Sequence, residues 1–564
     1  MIVSQAGATE AERYAANELA KYLEQATGAK FRIVGSVAPS EPAIVVGPGP
    51  EASRLFPADK LDRLAPEETL AKTRDGNLLI AGGRPRGTLY AVYRFLYKKA
   101  GIRWWTPWAT KIPRTERLTI AATDESEVPA FEYREPFWFA AFDGDWAARN
   151  YSNGSRPNLE ARHGGKISYK GFVHTFYSLV PPEQYFATHP EWFSLINGKR
   201  TWQNAQLCTT NPALRDFLVE QVRKWLRETP SARIVSVSQN DWFGSCECDQ
   251  CKALDAREGS PAGAMVALAN YIGEKIEREF PDVAIDTLAY QYTRKPPKTI
   301  RPRKNVIVRL CSIEANFARP LDDPSNAAFA DDLRAWGKVT DRLYVWDYVT
   351  DFRHYQLPFP NWGSIGPNIR FFKANGVRGL FEEGAYESNG ASMAEMEAWV
   401  QAQLMWDPKQ DDRALIREFV EGYYGRDSAP YIESYMKLME LKSRDYYLTC
   451  FTELDAPFLD FETLSEADRL WGEAESRAEN ADFRWRIRKG RLAVRYAILA
   501  AWPRLRREGL RSGLPWPGPA RRSEAARAWL DAATEPGPPG WKPITTIREG
   551  ALTPEAFASQ MSAD

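Results

Sequence analysis

Apolar residues follow two spacings along this chain, and the first 125 residues show both. Glu10–Thr27 carries them at helical spacing and stops at Gly28, and Gly87–Lys99 repeats the pattern. Short apolar runs over residues 43–47 and 78–83 end in glycine turns, as buried strands do. The pattern predicts a small α/β domain over residues 1–125.

From about residue 130 the pattern becomes strand, loop and helix, repeated. Eight strand candidates can be counted, and eight is the number in a (β/α)8 barrel. Helical stretches over residues 213–227 and 262–280 lie between them, which is the alternation of a parallel sheet. The sequence therefore predicts an α/β fold with a (β/α)8 TIM barrel over residues 126–392. The candidates are residues 133–141, 172–177, 205–209, 234–239, 284–289, 306–311, 343–346 and 377–381.

The remainder of the chain differs in pattern from the barrel region. Helical periodicity over residues 393–406, 411–424 and 465–505 predicts a C-terminal helical region over residues 393–510. Residues 511–564 are rich in Pro, Gly and Arg, which predicts a tail. No apolar run approaches the ~20 residues that cross a bilayer, so no membrane span is expected.

Composition narrows the class of partner. Lys+Arg and Asp+Glu both number 74, so the net charge is zero and no basic surface indicates a nucleic acid. Aromatic residues make up 13% of the chain and include 20 Trp, and such rings stack on sugar faces as well as filling cores. A neutral partner such as a glycan or glycoprotein fits this composition.

Carboxyl and amide side chains follow one strand candidate where a barrel enzyme carries its chemistry. Asn240 and Asp241 come directly after residues 234–239, and catalytic groups lie at the carboxyl ends of barrel strands. An acid at this place can donate a proton while the amide orients a substrate group. The alternative is that Asn-Asp forms a turn, which is its commonest use.

Other polar and aromatic side chains follow the remaining strand candidates. Several acids at one rim suit glycoside hydrolysis, in which one carboxyl stays protonated while a neighbour is ionised. Each alone is more often a helix cap or a salt-bridge partner, and each aromatic ring is more often part of the core. The catalytic candidates are Asp241, Asn240, Glu382 and Glu383, and the candidates for substrate contact are His174, Tyr290, Tyr292, Glu314, Trp346 and Asp347.

Four cysteines have the spacing of a metal site. Cys246, Cys248 and Cys251 follow the Asn-Asp pair, and Cys208 ends the preceding strand candidate. Four thiolates can hold a structural zinc ion, a disulfide in the loop is an equal alternative, and buried free thiols are a further one. The four histidines are not at ligand spacing beside this cluster, so no cofactor is expected in catalysis.

Several segments are similar to known families. EAERYAANELAKYLEQATG and GTLYAVYRFLYKKAGIRWWTP resemble the N-terminal accessory domain that hexosaminidases and α-glucuronidases share. HPEWFSLINGKR, QLCTTNP, SQNDWFGSCECDQC, LAYQYTRKPP, FEEG and EFVEGYYG, in this order, resemble glycoside hydrolase family 163, the domain of unknown function 4838. The resemblance spans roughly residues 5–430.

This resemblance implies an endo-β-N-acetylglucosaminidase-like enzyme that cuts N-glycans on a (β/α)8 barrel with retention. In related hexosaminidases the acetamido group of the substrate attacks the anomeric carbon, so no enzyme nucleophile is needed. By analogy Asn240 orients the acetamido group and Asp241 is the acid/base. Because related enzymes often carry a second acid at this position, Glu314, Glu382 and Glu383 remain alternative proton donors.

Two further interpretations stay open. An α-glucuronidase-like enzyme needs a cationic pocket for a uronate, which Arg294, Arg309 or Arg319 can supply. A barrel that binds glycans without cleaving them is the other alternative. The oligomeric state is not indicated. A secreted or periplasmic location is expected if a signal peptide has been removed, and a cytoplasmic one otherwise.

Overall fold

The computed structural model describes residues 1–38 and 41–562. The first part of the chain forms a six-stranded sheet of order β2-β1-β3-β5-β4-β8, in which β4 is antiparallel to both neighbours. A separate hairpin consists of β6 and β7. The elements are β1 (Ile2–Ser4), α1 (Glu10–Thr27), β2 (Ile33–Val34), β3 (Ile44–Val46), α2 (Pro50–Leu55), β4 (Thr69–Arg74), β5 (Asn77–Gly82), α3 (Gly87–Lys99), β6 (Arg103–Thr106), β7 (Ala109–Lys111) and β8 (Asp124–Glu127).

The predicted helix α1 is confirmed with both of its ends. Thr9 and Glu12 form a capping box that satisfies free amide groups of the first turn. Gly28 ends the helix in the left-handed conformation, with a φ of 74°, which glycine adopts at little cost. Leu19 and Leu23 are buried with α3 against the sheet. The local sequence thus sets where this helix begins and ends.

The second sheet contains seven strands, all parallel, in the order β10-β13-β14-β15-β16-β17-β9. It curls so that backbone hydrogen bonds through Asn153 connect Arg134 of β9 to Ile167 before β10. The strands, with a small hairpin β11–β12, are β9 (Tyr133–Phe137), β10 (Ser168–Lys170), β11 (Leu195–Ile196), β12 (Lys199–Arg200), β13 (Ala232–Ser236), β14 (Ala284–Ala289), β15 (Val306–Cys311), β16 (Leu343–Tyr348) and β17 (Val377–Glu383).

The described residues therefore form a curled parallel half-barrel and not the complete eight-stranded barrel that the sequence predicts. The candidate at 205–209 makes only one bridge, between Leu207 and Phe193. Another backbone group of this segment bonds to a loop instead, since the Gln206 backbone N–H donates to the Gly244 carbonyl. The candidate at 172–177 is displaced, because the strand lies earlier in the chain and residues 176–179 form a helical turn.

Helices cover the outer face of this sheet. Their apolar sides enclose a core that includes the fully buried Trp336, Trp362 and Trp399. The helices between the strands are α4 (Gly144–Arg149), α5 (Phe176–Leu179), α6 (Pro182–Tyr185), α7 (Pro212–Glu228), α8 (Asp249–Glu258), α9 (Ala262–Ile276), α10 (Ala327–Trp336) and α11 (Ile365–Ala374).

The C-terminal region is helical, as predicted. It comprises α12 (Ala394–Trp406), α13 (Asp412–Tyr424), α14 (Ala429–Ser443), α15 (Phe461–Ser476), α16 (Ala481–Ala500), α17 (Trp502–Ser512), α18 (Arg522–Thr534) and α19 (Pro554–Ser562). Residues 511–562, predicted as a tail, include two of these helices, and Trp529 and Phe557 are buried against Tyr496. Among the described residues, no helix combines the length and apolarity that a bilayer span requires.

Candidate active site

A cleft with a volume of about 240 Å³ opens at the carboxyl ends of the central parallel strands. A larger groove of about 880 Å³ lies at the opposite end of the sheet, where β13, β16 and β17 begin. Because barrel enzymes place their chemistry at the carboxyl ends, we take the smaller cleft as the candidate site. Its lining residues are His174, Asp241, Leu288, Tyr290, Cys311, Ile313, Trp346, Tyr348, Phe352, Glu383, Phe451 and Glu549.

Asp241 is a solvent-exposed acid of this cleft. It lies in the loop after β13, and 60% of its side chain is accessible. The Tyr290 hydroxyl donates to Asp241 Oδ1 at 3.0 Å, and Gln291 Nε2 donates to that hydroxyl at 3.0 Å. His174 Nε2 lies 3.9 Å from the same carboxylate oxygen. These contacts hold a hydrated carboxylate at one side of the cleft.

Glu383 is the enclosed acid of the same cleft. It ends β17, and Trp346 Nε1 donates to its Oε2 at 2.8 Å. Burial, opposed by the Trp346 hydrogen bond and helped by the charges of Glu549 and Asp241, raises the pKa of Glu383 to about 8. Glu383 therefore keeps its proton at neutral pH while its side chain still opens to the cleft.

One wall of the cleft is aromatic. Trp346 stacks on Phe172, with ring centroids 5.5 Å apart and an interplanar angle of 19°. It also stacks on Tyr348 at 6.1 Å and 25°. Flat ring surfaces beside hydrogen-bonding acids suit a ligand with an apolar face and polar edges, such as a pyranose.

Not all of the predicted residues line the cleft. Asn240 is buried, and its Nδ2 donates to the Ala205 carbonyl at 3.0 Å. Tyr292 packs toward Phe243, on the side of the cysteine cluster. Glu314 lies outside the cleft and forms an ion pair with Arg294 at 3.2 Å.

Glu382 and Asp347 lie on the opposite face of the sheet from the cleft. They are cross-strand neighbours on β17 and β16, and both are buried. The Ser312 hydroxyl donates to Asp347, and the carboxyl groups of Glu382 and Glu397 interact electrostatically. Burial raises the pKa of Asp347 to about 6 and that of Glu382 well above its ordinary value.

Five of the predicted residues do meet in the cleft. They are His174, Asp241, Tyr290, Trp346 and Glu383.

Glu549 was missed by the sequence analysis, since it lies in the segment predicted as a tail. Its carboxylate lines the cleft and accepts a hydrogen bond from the Tyr386 hydroxyl at 2.7 Å. The only local signal is the pair of apolar residues Ile544 and Ile547, both buried, in an otherwise polar stretch.

The four predicted cysteines converge beside the loop that carries Asp241. Their sulfur atoms all lie within 4.8 Å of one another. The Cys208 Sγ is 3.6 Å from that of Cys248 and 3.9 Å from that of Cys251. All four are free thiols in this structure, because these separations far exceed the ~2.05 Å of a disulfide bond.

Several solved structures of similar fold are glycoside hydrolases. A family GH115 4-O-methyl-α-glucuronidase with specificity for decorated arabinogalactans matches 100% of this chain and 80% of its own, at 13% identity and a TM-score of 0.58. A GH138 enzyme that targets pectin rhamnogalacturonan II matches 100% and 78%, at 10% identity and a TM-score of 0.54. At such identities the likeness concerns the fold.

A family 89 glycoside hydrolase from Clostridium perfringens, solved with GlcNAc-α-1,4-galactose, matches 93% of this chain and 65% of its own. The identity is 10% and the TM-score 0.51. A search of curated proteins finds no match in sequence. A family model described as a domain of unknown function, DUF4838, matches residues 104–437, more than half of the chain. The chain therefore belongs to the DUF4838 family.

Proposed function

We propose that the protein is a glycoside hydrolase whose acids are Glu383 and Asp241. The observation that carries this proposal is the contrast between two carboxyl groups in one cleft. Glu383 is enclosed and protonated at neutral pH, whereas Asp241 is exposed to solvent and hydrogen-bonded by Tyr290. Glycosidases need such a pair, one carboxyl to protonate the leaving oxygen and one to act as an anion.

Glu383 serves as the general acid in this proposal. Cleavage of a glycosidic bond leaves an alkoxide, and a proton donor with a pKa near the working pH delivers the proton most effectively. Trp346 fixes the donor, because its indole N–H holds Oε2 at 2.8 Å. Asp241, the donor proposed from the sequence, then takes the role of the ionised partner.

The finer proposal is a substrate-assisted, retaining reaction on a β-N-acetylglucosaminide of an N-glycan. Asp241 accepts a hydrogen bond from the acetamido N–H, and its charge stabilises the oxazolinium ion that forms. Asn240 supports the loop that carries Asp241, since its side chain donates a hydrogen bond to the Ala205 carbonyl. The motifs that resemble glycoside hydrolase family 163 support this substrate class, and GlcNAc is part of the ligand of the similar family 89 enzyme.

The charge of the cleft favours a neutral sugar over a uronate. Within the described part of the chain, no Lys or Arg lines the cleft. Arg294 forms ion pairs with Glu314 and Asp332, and Arg309 is buried beside Asp286. A uronate would therefore meet two carboxylates, Asp241 and Glu549, and no cation to offset their repulsion.

A glycan panel tests the proposal. The full chain is incubated with 4-nitrophenyl glycosides of β-GlcNAc, α-GlcNAc, β-glucose and α-glucuronic acid, and with an N-glycosylated protein, and reducing-end release is measured. We expect release from the β-GlcNAc glycoside and the N-glycosylated protein, and none from the α-GlcNAc glycoside or the glucuronide. Release from the glucuronide alone would favour the α-glucuronidase alternative. Binding without release from any substrate would favour a glycan-binding protein.

A further inference from the structure

We propose that Cys208, Cys246, Cys248 and Cys251 bind one zinc ion that supports the loop carrying Asp241. Four thiolates around zinc at about 2.3 Å place neighbouring sulfur atoms about 3.8 Å apart at the corners of a tetrahedron. The distances from Cys208 to Cys248 and Cys251 are 3.6 Å and 3.9 Å. These two distances match that spacing, and the four sulfur atoms are close enough together to surround one metal ion.

Hydrogen-bond donors lie beside the cysteine cluster. The backbone N–H of Leu195 donates to Cys246 Sγ at 3.3 Å, and Arg200 Nη1 lies 3.6 Å from the same sulfur. Helix α8 begins at Asp249, so its positive N-terminal end lies between Cys248 and Cys251. Because zinc with four thiolates carries a net negative charge, these donors favour the loaded site.

The cluster is linked to the cleft through Gln206. The Gln206 amide accepts from the Asn240 backbone N–H at 2.8 Å and donates to the Trp242 carbonyl at 2.6 Å. Gln206 and Cys208 lie in one short segment, and Cys246 lies in the loop that follows Asp241. A metal ion holding both segments would fix the backbone on each side of Asp241 without contacting substrate.

Metal analysis of the full chain, purified without added metal or chelator, tests this site. We expect about one zinc per chain by mass spectrometry of the elements, and strong visible absorption when Co²⁺ replaces zinc in the unaltered protein. Cys248→Ser should lower zinc content, whereas the matched control Cys450→Ser, at a buried cysteine outside the cluster, should retain it. A metal-free protein with a disulfide or with reactive thiols at these positions overturns the proposal, and so does iron in place of zinc.

A second inference rests on the proposed function: we infer that Glu549 binds hydroxyl groups of the sugar in the cleft. Residues 542–550 form a strap across the loops that follow β16 and β17. The strap is held by backbone bonds from Tyr355 N–H to the Ile547 carbonyl and from Glu549 N–H to the Phe352 carbonyl, both 2.9 Å. Gly390 permits close approach, because a Cβ there would lie 2.4 Å from Ile544 Cδ1.

This strap presents an exposed carboxylate to the same cleft as the proposed acids. Tyr386 fixes Glu549 Oε1 at 2.7 Å, and carboxylates accept hydrogen bonds from hydroxyl groups. Glu549 also interacts with Glu383, whose proton its charge helps to retain. The other titratable groups that line the cleft are His174, Asp241, Tyr290, Cys311 and Tyr348.

Glu549→Gln and the control Glu555→Gln, at an exposed residue of α19, test this inference. We expect Glu549→Gln to raise KM about tenfold for the best glycoside of the panel, with a smaller change in kcat, and Glu555→Gln to change neither. The carboxyl titration of Glu383, followed by infrared difference spectroscopy, should move to lower pH in Glu549→Gln. An unchanged KM overturns the inference. If no glycan is turned over, the proposed function fails, and the Glu383 titration still reports whether Glu549 faces it.

Discussion

Glu382 and Glu383 are adjacent on β17, yet their side chains lie in two different regions of the molecule. Successive residues of a strand point to opposite faces of the sheet. Glu383 points into the cleft, where it meets Trp346 and faces Asp241. Glu382 points to the outer face, where it is buried beside Asp347 and close to Glu397.

A raised pKa does not by itself give a glutamate a chemical role. Burial raises the pKa of both glutamates, and it raises that of Glu397 as well, although Asn361 Nδ2 donates to Glu397 at 3.1 Å. The outer acids have no access to the cleft. Glu383 is therefore the protonated carboxyl that a substrate can reach, and access to the cleft decides which glutamate can act in catalysis.

The largest expected effect is the loss of turnover in Glu383→Gln. The amide keeps the shape of the carboxyl but cannot supply its proton, so kcat should fall by roughly 10²-fold to 10⁴-fold. The matched variant Glu382→Gln, one residue away, should stay within a few fold of the unaltered enzyme. Both are measured on the best substrate of the panel. Loss of turnover in Glu382→Gln alone, in a folded protein, would place the chemistry on the outer face.

Asp241→Asn should have the next largest effect, a loss of roughly 10²-fold in kcat, because the anion that stabilises developing positive charge is removed. Glu314→Gln provides the control, since Glu314 pairs with Arg294 outside the cleft. If Asp241→Asn abolishes release of poor leaving groups while Glu383→Gln keeps it, the proton donor is Asp241, as the sequence suggests.

The pH dependence should be smaller and should report on Glu383. The general acid acts while protonated, and the pKa of Glu383 is about 8. The rate should therefore fall as pH rises through about 8, by about tenfold for each further pH unit. Kinetics between pH 4 and 10 measure this fall. A descending limb that begins near pH 5 would show that a carboxyl with an ordinary pKa is the donor.

Local signals in the sequence predicted many of the helices and strands, but not whether the parallel sheet closes into a complete barrel. Helix α1 is predicted from its apolar spacing and from Gly28, both of which are local signals. The candidate at 205–209 has a strand-like composition, yet its partners are loops, and such long-range pairing has no local signature. Strand existence was therefore easier to predict than strand pairing.

The candidate site was likewise predicted only in part, because some of its contacts are long-range. Five of the predicted residues reach one cleft because the carboxyl ends of parallel strands meet at one edge. Asn240 was predicted beside Asp241, but the hydrogen bond to Ala205 turns its side chain away. Glu549 enters the cleft from the far end of the chain, held by Tyr386 and by backbone bonds to the loop after β16. No spacing in the sequence indicates that contact.

The smallest expected effect concerns stability and the outer glutamate. In the unfolded chain Glu382 titrates near 4.3, whereas burial holds its folded pKa well above the ordinary value. Between these two values the folded state binds more protons than the unfolded state, so the free energy of unfolding decreases as pH rises. The loss accumulates across the pH range between the two pKa values.

Glu382→Gln has no carboxyl group to titrate at this position, so its free energy of unfolding should decrease less than that of the unaltered protein as pH rises from 5 to 8. Thermal or urea unfolding at several pH values measures the difference, and Glu555→Gln, at an exposed glutamate, should follow the unaltered protein. Glu383→Gln should show a shallower version of the same trend, because the cleft lets solvent reach that side chain. A pH-independent difference between Glu382→Gln and the unaltered protein would mean that Glu382 is ionised in the fold, which requires a cationic partner or solvent on the outer face of β17.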